Sequence, residues 1–174
     1  LEQLGGEADG IRLISKSHAR TAEEMRAAVD ECRKAFNRDV IDVFHVHLVR
    51  SAEDLQERRG ALEALVDLKS KGVVRAVATS THSLAGLEPV YDCEEIDVVL
   101  PCINTKGIGI TDGTLEQMLA ACRRLKESGK GIYAMKPLAG GHLYNAVEES
   151  LNFVRGLKEV DAVAVGMKTV AEVE

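Results

Sequence analysis

The stretch Val40-Ile-Asp-Val-Phe-His-Val-His-Leu-Val49 alternates bulky apolar residues and closes on two histidines. A run rich in Val, Ile and Phe reads as a strand packed into an α/β core. Side chains alternate across a strand, so Ile41, Val43, His45 and His47 share one face. That face has an apolar base and a polar top. In a closed parallel barrel the C-terminal end of a strand is where chemistry is usually done. A single strand histidine is more often a satisfied core residue than a functional one. The surrounding chain has to say which reading applies.

Working outward, each neighbouring segment repeats a strand followed by a helix. Upstream, residues 11–17 form a short apolar strand with Lys16 near its end, and residues 1–10 read as a helix end and a glycine-containing turn. Thr21 caps the next helix, with Glu23 and Glu24 placed where negative charge complements the helix dipole. Its apolar stripe is Met25, Ala28, Val29, Cys32 and Phe36. Downstream, 50–59 reads as a polar connection to a helix carrying Leu62, Leu65, Val66 and Lys69 at stripe spacing, ended by Gly72. A strand over 73–79 runs into Ser80-Thr-His-Ser83, and a short helix over 84–91 leads to a strand over 96–100 and Pro101-Cys-Ile-Asn104. A glycine-rich loop over 106–113 is long enough to lie over a site. An amphipathic helix over 114–128 precedes a strand over 131–135, whose exit is Lys136-Pro-Leu-Ala-Gly-Gly-His142. A helix over 146–157 and a strand over 161–165 end in Gly166-Met-Lys-Thr169.

Strands alternating with helices, with no hairpin signal, imply βαβ crossovers and a parallel sheet. Two architectures compete, an open doubly wound sheet and a (β/α)8 TIM barrel. No GxGxxG follows a strand, which weakens the dinucleotide-binding form of the open sheet. Polar residues stand at the strand exits: Lys16, His47, Ser80, Asn104, Lys136 and Lys168. A ring of functional groups at one end is what a barrel mouth looks like. The expected fold is therefore α/β, a TIM (β/α)8 barrel with about six of its eight units in residues 1–174.

Bulk properties narrow the function. The 174 residues are 45% hydrophobic and 29% charged, ordinary for a globular protein, with a net charge of −6 and no basic tract. That balance argues against a nucleic-acid surface or an anionic membrane partner. No apolar run approaches the roughly 18 residues of a membrane span. Four dispersed cysteines with no CxxC pair give no metal-ligand spacing and suit free thiols in a reducing cytoplasm. The chain starts at Leu1 without methionine and stops at Glu174 where a helical pattern begins, so a piece of a longer protein is expected.

Taken in order, the strand exits resemble the aldo-keto reductase family. Leu13-Ile-Ser-Lys-Ser17 is similar to the family's third-strand motif, which ends in its catalytic lysine, and Ile41-Asp-Val-Phe-His-Val-His47 to the signature ending in its catalytic histidine. Gly72-Val-Val-Arg-Ala-Val-Ala-Thr-Ser-Thr-His-Ser83 and Ala134-Met-Lys-Pro-Leu-Ala-Gly-Gly141 resemble a bacterial branch of the family, and Val165-Gly-Met-Lys-Thr169 its cofactor-phosphate loop. The resemblance runs from about Ile11 to Glu174 and corresponds to barrel strands three to eight.

The resemblance implies an NAD(P)H-dependent oxidoreductase that moves a hydride between a nicotinamide and a small carbonyl or alcohol substrate. It gives Lys16 and His47 catalytic supporting roles around a tyrosine proton donor, since a nearby cation lowers a phenol's pKa. His45, two residues deeper, is expected to be a structural polar residue of the interior. Ser80 and Thr81 are placed against the nicotinamide carboxamide, Thr81 standing where many members have asparagine. Leu100 stands where a glutamine often makes the same contact, which puts that contact in doubt. Lys136, Leu138, Gly140 and Gly141 match the loop along the pyrophosphate, and Gly166, Lys168 and Thr169 the phosphate site before a helix. The resemblance implies NADP or NAD as cofactor; Glu172, if it approaches the adenosine 2′ position, disfavours a 2′-phosphate and tilts that expectation toward NADH. The matching tyrosine and its aspartate partner belong to regions before Leu1, and none of Tyr91, Tyr133 and Tyr144 stands in the matching context. The 174 residues alone are thus expected to be inactive. The bacterial branch sometimes carries an iron–sulfur extension, of which this sequence shows nothing. Two other readings stay open: a catalytically inactive binding or regulatory module on the same barrel, and an unrelated phosphate-binding barrel enzyme using Lys16 as a Schiff-base amine.

Overall fold

The computed structural model describes residues 10–173. Six strands, β1 (Ile14–Ser17), β2 (Ile41–Val46), β3 (Val74–Thr81), β4 (Val98–Pro101), β5 (Gly131–Met135) and β6 (Ala162–Ala164), form one sheet in chain order. Every neighbouring pair is parallel. The helices are α1 (Ala22–Phe36), α2 (Ala52–Glu57), α3 (Arg59–Ser70), α4 (Leu115–Glu127) and α5 (Val147–Arg155). This is a partial TIM barrel, as the alternation of strands and helices predicts.

Curvature is visible in one hydrogen bond. Tyr133 on β5 and His45 on β2 lie three strands apart, yet the phenol oxygen is 2.7 Å from His45 Nε2. On a flat sheet three spacings of about 4.8 Å would separate the two backbones by about 14 Å. Side chains standing up from a flat face would not meet. The sheet therefore curls, and His45, Tyr133, Leu100, Cys102 and Met135 lie on its concave side, the last three in a small apolar cluster with Tyr133 against it. The convex side carries Phe44, Val46, Val77, Val99 and Ile132, packed under Met25, Val29, Leu62, Leu65, Met118 and Leu125. Burying these side chains contributes roughly 1.5–3 kcal/mol each.

Local chemistry starts and stops the elements. Thr21 and Thr114 each build a full capping box, with Glu24 and Gln117 reaching back to the cap. At the base of the sheet one device recurs three times. Asp42, Asp97 and Asp161 each donate a backbone N–H to the neighbouring strand segment, to Leu13, Val77 and Ile132 respectively. Each carboxylate also accepts the N–H of that same residue at 2.8 Å. A basic side chain covers each: Arg12 and Arg75, Lys69, and Lys126. These clips hold the register of alternate strand pairs at the end away from the mouth.

Three sequence expectations need correction. Residues 50–59 are not a plain connection: Ser51 caps α2, accepting from Asp54 N–H at 3.2 Å, and the chain breaks at Arg58 before α3. The segment 84–91 holds only a single 3-10 turn, Glu88–Val90, because Pro89 and the Asp112 carboxylate, which takes the Leu84 and Ala85 amides, leave no room for a regular helix. Lys69 does not join the apolar stripe of α3; it turns out to Asp97. The expected turn over residues 1–10 falls almost wholly outside the described residues.

Candidate active site at the strand exits

The exits of β1, β2 and β3 converge on His47. Its backbone N–H donates to Ser17 O at 2.9 Å, its ring centroid lies 4.5 Å from that of His18, and its Nδ1 is 2.6 Å from Ser80 Oγ. Ser80 Oγ also accepts the Leu48 N–H at 2.9 Å. The hydroxyl keeps a second lone pair, so either atom can donate in the Ser80–His47 bond; we assign the hydroxyl as donor, with His47 Nδ1 accepting. The imidazole is then the Nε2–H tautomer, assigned from the hydrogen-bond network. His47 is held neutral. Burial, and then the positive charge of Lys16 and of the other histidines, pushes its pKa down to about 4.

Below it, His45 is fully buried and its Nδ1 lies 2.8 Å from the Ser15 carbonyl oxygen. A carbonyl only accepts, so Nδ1 carries the hydrogen, and Nε2 accepts the Tyr133 hydroxyl. Burial lowers the His45 pKa to about 4 and raises that of Tyr133. His45 is a satisfied interior residue, as expected. Lys16 stands opposite His45 in the β1–β2 register with its side chain exposed toward the mouth.

The exits of β5 and β6 look different. Lys136 and Ala139 have φ of 61° and 50°, and Gly140 and Gly141 of 68° and 104°. Nothing lies within 4 Å of where a Cβ would stand on Gly140 or Gly141. Space does not demand glycine there; the left-handed backbone does. The result is a tightly turned loop with Lys136, Gly140 and Gly141 exposed and Pro137 and Ala139 buried, in which the Ala139, Gly141 and His142 N–H groups donate to carbonyls of the same turn. Leu138 holds the turn from inside, its carbonyl accepting from Gly141 N–H at 2.8 Å. Past β6, Gly166, Lys168 and Thr169 are exposed; Thr169 begins a short 3-10 turn, and the Lys168 N–H donates to the Glu172 carboxylate.

The aldo/keto reductase family model matches residues 8–172. The chain belongs to the aldo/keto reductase family. A curated relative, the L-galactose dehydrogenase of Arabidopsis thaliana, is 26% identical over 88% of this chain. The chain spans 57% of that relative's length. The holo form of an aldo-keto reductase from Bacillus halodurans superposes with a TM-score of 0.77 at 18% identity, covering 99% of this chain and 67% of that one. An aldo-keto reductase from a Medee basin deep-sea metagenome library gives 0.71 at 12% identity, covering 92% and 62%. At such identities the structural likeness speaks for the fold. Family membership removes the reading of an unrelated phosphate-binding barrel.

In this family member the structure brings Lys16 and His47 to one mouth with fully buried Ser80 bonded behind His47, and sets the 136–141 and 166–169 loops at the exits of the last two strands. Thr81 is turned away. Its hydroxyl is fully buried and bonded within the turn, to the Ser83 N–H at 3.0 Å and the Ser83 carbonyl at 3.2 Å. Asn104 likewise does turn chemistry, bridging Ile108 O and Ile108 N–H at 2.8 and 3.0 Å. Two residues at the mouth escaped the sequence reading. His18 lies against the His47 ring, and Arg58 reaches the His47 backbone. Ser51 followed by Asp54, a capping pattern, was the signal that could have found the helix leading to Arg58.

Proposed function

We propose that this chain supplies barrel strands three to eight of an NAD(P)H-dependent oxidoreductase acting on a small carbonyl or alcohol substrate. The Ser80–His47 bond is the observation that supports this most. It leaves a neutral imidazole with Nε2–H directed away from the protein's own acceptors, a donor suited to orienting a carbonyl oxygen. Such a donor must not titrate in the working range, and a pKa near 4 keeps it neutral at pH 7. The bound nicotinamide supplies the hydride. Lys16 provides a cation that favours the phenolate of an adjacent tyrosine, which gives its proton to the carbonyl oxygen. That tyrosine is assigned to sequence outside this chain, because Tyr133 is bonded to His45, Tyr91 lies 3.9 Å under the Arg124 guanidinium and Tyr144 is 79% exposed. Ser80, fully buried between His47 and the Leu48 N–H, serves the site through the imidazole that it holds, and the 136–141 loop is assigned to the pyrophosphate. Since the Glu172 carboxylate already takes the Lys168 amide, a 2′-phosphate meets a negative neighbour there, and NADH is assigned the tighter binding.

The test is a fluorescence titration of the full-length protein with NADH and NADPH. Saturable binding, weakened at least tenfold by Lys168→Ala or Gly140→Val, supports the cofactor site. Binding of neither nucleotide overturns the oxidoreductase reading. Tighter binding of NADPH overturns the NADH assignment alone. Binding without turnover of any carbonyl compound moves the protein to the inactive-module reading.

A further inference from the structure

Directly after His47 the backbone does something costly. Leu48 has φ of 58°, a left-handed conformation that a residue with a Cβ adopts at roughly 1–2 kcal/mol. The turn swings the chain out of β2 just where the imidazole must face the mouth. Strain of this kind persists only where the surroundings over-determine it. Both sides of the peptide are held. On one side Ser80 Oγ accepts the Leu48 N–H. On the other the Arg58 guanidinium donates to the His47 carbonyl at 2.8 Å and to the Leu48 carbonyl at 3.2 Å.

Arg58 is built for this task. Its side chain is only 3% exposed, and its charge is matched by the Asp54 carboxylate at 2.8 Å. It sits at the break between α2 and α3, at φ −104° and ψ 19°, and makes no side-chain cap for α3. The neighbouring Arg59 turns the opposite way, to Glu63 and Glu95. Residue 58 lies three positions after buried Leu55 and four before buried Leu62, on the inward side of the two helices, and there its guanidinium meets the exit of the histidine strand. A buried guanidinium that serves two carbonyls flanking one strained peptide fixes the direction in which His47 leaves the strand.

We propose that Arg58, anchored on Asp54, is a positioning residue for His47, and that with Ser80 it clamps the left-handed peptide that presents the imidazole Nε2–H to the mouth. The proposal rests on the role given to His47 above only for its catalytic consequence; the geometry itself can be read without cofactor. The groups facing His47 are Lys16 and His18 from the first strand and its exit, His45 beneath it and His82 beyond β3.

The experiment is histidine-selective 15N NMR of the full-length protein, free of nucleotide, for the parent, Arg58→Met and Arg58→Lys. In the parent, His47 is expected as one Nε2–H tautomer that titrates well below the ordinary histidine range. Arg58→Met should bring in the Nδ1–H tautomer and raise the midpoint by a unit or more; Arg58→Lys should restore part of both. If turnover is established, kcat should fall about ten- to a hundredfold with KM nearly unchanged. A lowered melting temperature with the His47 tautomer and midpoint unmoved would overturn the proposal, leaving Arg58 as packing. Should Arg58→Met fail to fold, Asp54→Asn decides: His47 signals displaced in the same sense support the clamp, and unchanged signals refute it. Loss of nucleotide binding in the titration above would leave this result standing, and the reverse also holds.

Discussion

The exits of β2 and β3 and the exit of β5 use the same uncommon backbone conformation in opposite ways. At the first pair, Leu48 is left-handed and held by bonded neighbours: His47 to Ser80, Leu48 to Ser80 and Arg58, Thr81 to Ser83. At the second, Lys136, Ala139, Gly140 and Gly141 share positive φ, Ala139 buried and the two glycines with open space around their Cβ positions. A group that must aim a single hydrogen bond is best held by packing and satisfied neighbours. A loop that must receive an anion needs exposed backbone N–H groups and few side chains. The difference separates a rigid orienting end from an open receiving end of one mouth.

The same substitution at the two ends should break this comparison most clearly. A Cβ on Gly86 would overlap the Val49 carbonyl oxygen and the Thr81 hydroxyl, both part of the packed end. Backbone cannot give way cheaply, so Gly86→Ala should destabilise the full-length protein by about 3 kcal/mol or more in urea unfolding. A loss under 1 kcal/mol would show that this end is not rigid.

Next in size is the pH response of the interior. His45 titrates near 4 in the folded chain and near 6.5 when unfolded, so between those values the unfolded state binds more protons. Stability is then complete above pH 6.5 and falls as pH drops toward 4. Between pH 8 and 5 His45 should contribute a loss of about 2 kcal/mol. His45→Gln should flatten that part of the profile; an unchanged slope would mean that His45 is not the group responsible. Tyr133→Phe probes the same pair at smaller scale. It leaves His45 Nε2 buried without its donor, at a cost of about 1–2 kcal/mol, measurable by the same unfolding curves. No loss there would mean that water or another donor replaces the phenol.

Much of this was legible before any coordinates. β5 falls on the expected 131–135, the Thr21 cap stands where the sequence put it, and the alternation over 40–49 reads as β2 with His45 inside it and His47 at its exit. These features are local, set by periodicity and by capping side chains. What the sequence hid was set by distant partners. Thr81 reads as a site residue by position, yet Ser83 and the close approach at Gly86 take its hydroxyl into a turn. Arg58 reads as one more surface arginine in a charged stretch, and only its buried partners, the His47 and Leu48 carbonyls and the Asp54 carboxylate, show what it holds. The Tyr133–His45 bond spans 88 residues and depends on the curl of the sheet, for which no short stretch carries a signal.

The smallest effect is the one that sharpens the comparison furthest. Gly141 at φ 104° has open space around its Cβ position, so Gly141→Ala meets no neighbour and incurs only the strain of the left-handed backbone, about 1 kcal/mol. Unfolding should therefore report a third or less of the Gly86→Ala loss. Nucleotide affinity should respond in the opposite order, because the added methyl projects into the space where a phosphate would approach the backbone. A Kd raised tenfold or more by Gly141→Ala at nearly parental stability would mark the 136–141 loop as a receiving surface. An unchanged Kd with the same small stability loss would make it an ordinary turn, and the asymmetry between the two ends would then be one of packing alone.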